Sequence, residues 1–317
     1  MTAIRVSTLG VPSDYKTSLV PAICQSLGYQ IQWVEPKNCD LMIIGPFHRL
    51  GKKKLAWCPK PLRPVMGTLG DQINALLPSG HAPLTLFQTG ENLRHDFVSN
   101  DYSLTFDLGI SEEHHFRMPY WMEVTNWSEE GVTGNSNPRY GRLLDISRLL
   151  QPLGIDFLKR PQKAALFASH LREPRGSLLN IVKKEIEVVE FGKSFNPKIK
   201  NHLESNLIKF DELQEFAFNL CPENGMYPGY YTEKIPEAFM AGCLPITWAD
   251  ENVRIDFNAN AFINLAPMSA NNFYELREIL HSKTILEKYA EQALLLKRPD
   301  ISPLKSFIQE ILRKAIS

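Results

Sequence analysis

The chain has 317 residues, with 35 Lys+Arg against 35 Asp+Glu, 44% hydrophobic and 22% charged residues, and a formal net charge of zero. This composition excludes a disordered, collagen-like or coiled-coil chain, and a neutral balance argues against nucleic acid as the general partner, which requires a basic face. The length suits about two domains, each with its own core. Five scattered cysteines, Cys24, Cys39, Cys58, Cys221 and Cys243, form no C-x-x-C pair and read as reduced, buried thiols. The first residues lack the apolar core of a signal peptide, and no run approaches the roughly 18 apolar residues of a spanning helix. A cytoplasmic protein is expected, in which Asn126-Trp127-Ser128 is a chance sequon.

In chain order, Ile4–Leu9 reads as a strand, Ser13 or Asp14 as the cap of a helix over Tyr15–Leu27, and Ile31–Val34 and Leu41–Ile44 as short strands. Strand, helix, strand implies a parallel sheet. Strand-like segments continue at Pro64–Met66, Thr85–Thr89 and Tyr102–Phe106. The chain turns polar and irregular from Trp127 to Pro161, apart from a short helix at Leu143–Leu150, and this places the domain boundary near residue 160. A second series follows: strands at Lys163–Ala168, Ile186–Phe191, Phe216–Leu220, Leu244–Trp248 and Phe262–Leu265, with helices near Arg175–Lys184 and Glu233–Ala241. The pattern predicts an α/β protein of two Rossmann-like domains facing a cleft, with ligands at the carboxyl ends of the strands. The last segment, from Asn271, is helical, and Ser302-Pro303 starts a final helix with Leu304, Phe307, Ile308, Ile311 and Leu312 on one face. Such a helix packs on a domain or makes peripheral contact with an anionic membrane.

Three segments carry chemistry. In the first, a buried strand ends at Leu220, a Gly- and Pro-containing loop follows, and Thr232 is placed to cap a helix whose first turn holds Glu233 and Lys234 and which Gly242 ends. Free backbone N–H groups plus Lys234 suit a phosphate, and Glu233 suits ribose or sugar hydroxyls, although a capped surface helix fits the same residues. In the second, Thr89-Gly90-Glu91-Asn92-Leu93-Arg94 lies just beyond a strand end, where a carboxylate serves as general base if it meets a bound hydroxyl and is otherwise solvated. In the third, Phe167 to Arg175 runs from a strand into a loop with Arg172 and Arg175, either of which can grip a diphosphate bidentately. Glu112, Glu113, His114 and His115 read as a solvated loop, since sequential neighbours rarely make a compact ligand set.

These segments resemble the α-1,3/1,4-fucosyltransferases of glycosyltransferase family 10, especially the short bacterial members. The resemblance rests on Thr89-Gly90-Glu91-Asn92 with Arg94 and Phe97, Asp101-Tyr102, Phe106-Asp107, Arg117-Met118-Pro119, Phe218-Asn219-Leu220-Cys221, Glu223-Asn224, Gly229-Tyr230, Thr232-Glu233-Lys234-Ile235, Asp256-Phe257-Asn258 and Phe262-Ile263-Asn264. It runs collinearly over about residues 85–265, so the first 80 residues rest on their α/β pattern alone.

The resemblance implies a GT-B fold, with an acceptor-binding domain over residues 1–160 and a GDP-sugar-binding domain with the C-terminal helices over 161–317. It implies inverting transfer of L-fucose from GDP-β-L-fucose to a glycan hydroxyl, for instance on GlcNAc of a lipopolysaccharide oligosaccharide or glycolipid. Carried over by motif, Glu91 is the general base, Arg175 and Lys234 hold the diphosphate, Glu233 holds ribose, and Asn224 and Tyr230 complete the donor set. The Ser169–Arg175 loop is shorter than in the best-matching members, which keeps Arg172 as the alternative arginine, and Pro222 replaces an aromatic residue. No D-x-D triplet occurs, so no obligatory cofactor is expected and a divalent cation is at most stimulatory; Arg, Lys and a helix dipole would stabilise the leaving group instead. These donor-site residues are expected to be exposed, so that replacing them spares the fold.

Overall fold

The computed structural model describes residues 1–48, 82–110, 113–136, 142–192, 202–267 and 269–317. Cys58, Glu112 and the strand expected at Pro64–Met66 lie outside them. The chain divides into two compact units, one of residues 1–118, 127–135 and 300–317, the other of 119–126 and 136–299. The boundary near residue 160 thus falls inside the second unit, and the final helix belongs to the first.

The first unit is built on a parallel sheet of β1 (Thr2–Leu9), β2 (Tyr29–Trp33), β3 (Leu41–Ile44), β4 (Leu84–Gln88), β5 (Tyr102–Thr105) and β6 (His115–Arg117), in the order β2-β1-β3-β4-β5-β6. Ile4 pairs with Ile31, Val6 with Leu41 and Leu86 with Tyr102, so the apolar runs recognised in the sequence lie in register. The helix expected over Tyr15–Leu27 is divided into a 3-10 turn at Tyr15–Thr17, an extended Ser18 and α1 (Leu19–Ser26). Pro21 is the cause: it lacks an N–H, and its ring would clash with the Thr17 carbonyl in a continuous helix.

The second unit contains the short helices α2 (Tyr120–Glu123) and α3 (Ile146–Leu149), then β7 (Ala164–Phe167), α4 (Arg175–Val182), β8 (Val188–Phe191), α5 (His202–Leu213), β9 (Phe218–Leu220), α6 (Lys234–Met240), β10 (Leu244–Thr247), β11 (Ile263–Asn264), α7 (Ala270–His281) and α8 (Lys283–Ala290). Its sheet is also parallel, in the order β11-β10-β9-β7-β8. Counted within each unit, the first five strands follow the same 2-1-3-4-5 order, although no sequence repeat accompanies it. In such a sheet the connections after the first and third strands depart in opposite directions and open a crevice at their carboxyl ends. In the second unit those strands are β7 and β9.

The central strands of both sheets are buried, as at β3, β5, β9 and β10. Ala165, Leu213, Phe216, Ala241 and Cys243 form one apolar cluster beneath α5, and Cys39, Met42, Ile44 and Phe87 form another in the first unit. A buried Leu- or Phe-sized side chain contributes about 1.5–3 kcal/mol by leaving water, so these clusters dominate local stability.

The last helix, α9 (Ser302–Ile316), returns to the first unit. Leu304, Ile308, Ile311 and Leu312 are buried there, and Phe307 meets the rings of Tyr102 and Phe116. Lys314 Nζ donates to Tyr102 Oη at 2.8 Å and Lys305 Nζ to the Glu130 carbonyl at 3.3 Å. Of the two expected uses of this apolar face, packing on a domain is the one observed. Among the described residues no helix is long and apolar enough to cross a membrane.

Candidate functional site

The β7 and β9 connections meet through side chains. Arg175, the first residue of α4, donates from Nη2 to Asn224 Oδ1 in the loop after β9. Arg175 is buried, whereas Arg172 is exposed three residues earlier. Burial lowers the Arg175 pKa, while Glu223, Tyr230 and Glu233 act to raise it. Of the two arginines left open by the sequence, Arg175 thus joins the cluster formed by Asn224, Tyr230 and Glu233.

The β9 loop is organised by Glu223. Its Oε1 accepts from the Thr232 backbone N–H at 2.8 Å, its two oxygens lie 2.8 and 2.9 Å from Thr232 Oγ1, and Oε2 accepts from Lys234 Nζ at 2.8 Å. Gly229, at φ +91°, allows the turn that leads into Tyr230 and Tyr231. The Tyr231 hydroxyl accepts from the Gly229 N–H at 3.1 Å and donates to Asp250 Oδ2 at 2.9 Å.

This arrangement corrects the expected helix start. Thr232 does not cap α6: its amide and hydroxyl go to Glu223, the helix begins at Lys234, and Glu233 at the cap position makes no side-chain cap bond. Pro236 sits in the first turn, where a missing N–H is tolerated, and Gly242 follows the C-cap, as expected. Arg175 and Glu233 are buried and the Lys234 side chain is only 17% exposed, which corrects the expectation of exposed residues.

Charge balance permits that burial. Burial disfavours the Lys234 ammonium, but Glu223, Glu233 and Tyr230 outweigh it and raise the pKa. Burial alone would raise the Glu233 pKa, but Lys234 and Lys209 hold it below the ordinary carboxylate value. Lys209, near the end of α5, forms a buried ion pair with Glu237 of α6. Sequence reasoning missed this pair. The available signal was the i, i+4 spacing of Glu233 and Glu237, which puts two carboxylates on one helix face and calls for a cation opposite them.

In the first unit Glu91 is exposed in the loop after β4, with its backbone N–H donating to Thr89 Oγ1 at 2.9 Å. The loop is fastened beyond it: Leu93, Phe97 and Val98 pack on the Met42–Phe87 cluster, and the His95 N–H donates to Asp107 Oδ2 at 2.9 Å. Asp107 is buried and also accepts from Thr105 Oγ1 at 2.6 Å. His115 is buried with Nδ1 2.9 Å from Ser103 Oγ, so it is built into the unit rather than solvated, whereas His114 is exposed, with its ring 5.0 Å from that of Tyr102. Among the described residues no group of three His, Cys, Asp or Glu side chains is placed to hold a metal ion.

Two parallel sheets of one strand order, with a charged cluster at the switch point of the second, define a GT-B-type α/β protein. The solved structures of an alpha1,3-fucosyltransferase with GDP and with GDP-fucose share this fold, at TM-scores of 0.67 and 0.64, each with 20% identity and covering 98% of this chain and 91% of theirs. Residues 157–291 match the C-terminal domain of glycosyltransferase family 10 (fucosyltransferase). An alpha-(1,3)-fucosyltransferase of Helicobacter pylori is 30% identical over 196 residues, which are 57% of this chain and 40% of the relative. A putative fucosyltransferase of Acanthamoeba polyphaga mimivirus is 30% identical over 107 residues, 31% of this chain and 18% of its own. The chain thus matches less than half the length of either relative.

Proposed function

We propose that the protein is an inverting α-1,3(/4)-fucosyltransferase that moves L-fucose from GDP-β-L-fucose to a hydroxyl of a glycan acceptor, such as GlcNAc of a lipopolysaccharide oligosaccharide. The observation that carries this reading is the bond from Arg175 to Asn224 across the β7/β9 switch point, beside Tyr230, Glu233 and Lys234. These five residues form the donor set. Arg175 and Lys234 balance the diphosphate, and Glu233, kept ionised by two lysines, accepts hydrogen bonds from ribose hydroxyls.

In the reaction the acceptor oxygen attacks the anomeric carbon and Glu91 takes its proton. The bond from that carbon to the β-phosphate oxygen breaks, its electron pair leaves with GDP, and the β-linked donor becomes an α-linked product. The exposed Glu91 carboxylate, on a loop fastened by Leu93, Phe97 and the His95–Asp107 bond, is suited to receive a proton from a bound hydroxyl.

Thermal denaturation with GDP, UDP and CMP tests the donor class. GDP at about 100 times its dissociation constant is expected to stabilise the fold by about 2.7 kcal/mol, with much smaller effects from the other two. Equal shifts with all three would overturn the guanine-nucleotide assignment.

A further inference from the structure

Glu223 is an unusual neighbour for a diphosphate site, because a carboxylate beside the binding lysine repels the ligand. It is only 1% exposed, and its oxygens take the Thr232 amide, the Thr232 hydroxyl and the Lys234 ammonium, all within 2.9 Å. Lys234 Nζ also donates to Thr232 Oγ1 at 2.7 Å, which closes a triangle of Glu223, Thr232 and Lys234. An ammonium has three N–H donors, and two are engaged in that triangle. Glu233 Oε1, at 4.0 Å, is an ion-pair neighbour beyond hydrogen-bond reach.

We propose that Glu223 is a positioning residue of the donor site: with Thr232 it fixes the Lys234 side chain, keeps it charged in a buried setting and leaves one N–H for the donor's diphosphate. The inference rests on the reading above that Lys234 contacts the donor. Glu223 touches neither the reacting atoms nor the leaving group in this account, and it acts only through Lys234.

The surroundings make the carboxylate necessary. Lys234 has Glu233 and Glu237 on its own helix, Tyr230 and Cys221 on the β9 loop, Lys209 on α5 and Arg175 at the start of α4. Of the two other carboxylates, Glu237 pairs with Lys209 and Glu233 is shared between Lys209 and Lys234. Without the Glu223 charge, burial and the neighbouring Lys209 act on an ammonium whose nearest ion-pair partner lies at 4.0 Å. Its proton is then lost at lower pH than in the native protein.

The test is GDP titration calorimetry on the full chain at about pH 7 and about pH 8.8, for wild type, Glu223→Gln, Lys234→Met and the double variant. The wild-type pair of measurements accounts for the titration of GDP itself. Glu223→Gln keeps the size and an acceptor for Thr232, and it is expected to weaken GDP binding by on the order of tenfold at the lower pH. At the higher pH it should lose a further factor that wild type does not. In the Lys234→Met background, Glu223→Gln should change affinity by less than about twofold, as a group acting only through Lys234 must. Unchanged or tighter GDP binding in Glu223→Gln, a pH profile parallel to wild type, or an equal loss in the Lys234→Met background would each overturn the proposal; a merely structural role predicts that parallel profile. Should Glu223→Gln fail to fold, Glu223→Asp keeps the charge and draws the carboxylate back by about one methylene. Weaker GDP binding with the wild-type pH profile is then expected, and wild-type affinity would refute the positioning role. Wild type that binds no GDP would overturn the donor reading itself, a result distinct from all of these.

Discussion

Replacing Arg175 by alanine tests the choice of Arg175 over Arg172, three residues earlier, which the sequence kept as the alternative. Around the β9 loop, three cations (Arg175, Lys209, Lys234) face three carboxylates (Glu223, Glu233, Glu237), a local balance of zero. Arg175→Ala leaves that cluster at minus one and deprives Asn224 Oδ1 of its donor. A charge-assisted hydrogen bond contributes about 1.5–3 kcal/mol, so the GDP dissociation constant should rise by roughly 10- to 150-fold. Arg172 is exposed, and Arg172→Ala should change it by less than about threefold. Because Arg175 is buried, its replacement also lowers stability, so affinity is read by calorimetry well below each variant's own Tm. A severe Arg172→Ala beside a silent Arg175→Ala would refute the assignment.

Two further substitutions probe the frame that carries the cluster. Gly242 has φ +79°, and a Cβ there would lie 2.6 Å from Arg160 Nη2, whose guanidinium also donates from Nη1 to the Ala241 carbonyl at 3.0 Å; Gly242→Ala should cost about 1–3 kcal/mol, read as a lower urea midpoint at unchanged m-value. Lys209→Met leaves Glu237 buried without its cation and should destabilise by about 3–5 kcal/mol, while Lys209→Met with Glu237→Leu should recover most of that loss; a double variant no better than the single one would show that the pair is not the cause.

Most strands were legible because they are short apolar runs ending in turn residues, as at Leu41–Ile44 and Leu244–Thr247, whereas β6, with the sequence His-Phe-Arg, carries no such run and was missed. Helices were harder wherever a local signal was overridden. Pro21 divides the first one, and α5 escaped notice because Lys209 lies on its buried side, one turn before Leu213, and breaks the apolar periodicity. At the site, the motif residues Arg175, Asn224, Tyr230, Glu233 and Lys234 do come together in one unit. Their environment was not legible: Thr232 looks like a helix cap until Glu223, nine residues earlier, takes its amide and hydroxyl. Similarly, the buried Asp107 fastens the Glu91 loop through His95 across a sequence gap that no helix or strand period reports.

The most direct measurement is fucose transfer itself, from GDP-β-L-fucose to N-acetylglucosamine-containing oligosaccharides, with wild type and Glu91→Gln compared and the product linkage read by NMR. The account predicts an α-linked fucoside and one GDP per transfer for wild type. For Glu91→Gln, which keeps the side-chain shape but loses the base, it predicts turnover lower by about 10²–10⁴ with GDP affinity nearly unchanged. Near-normal transfer by Glu91→Gln, or a wild type that binds GDP and forms no fucoside with any such acceptor, would contradict it.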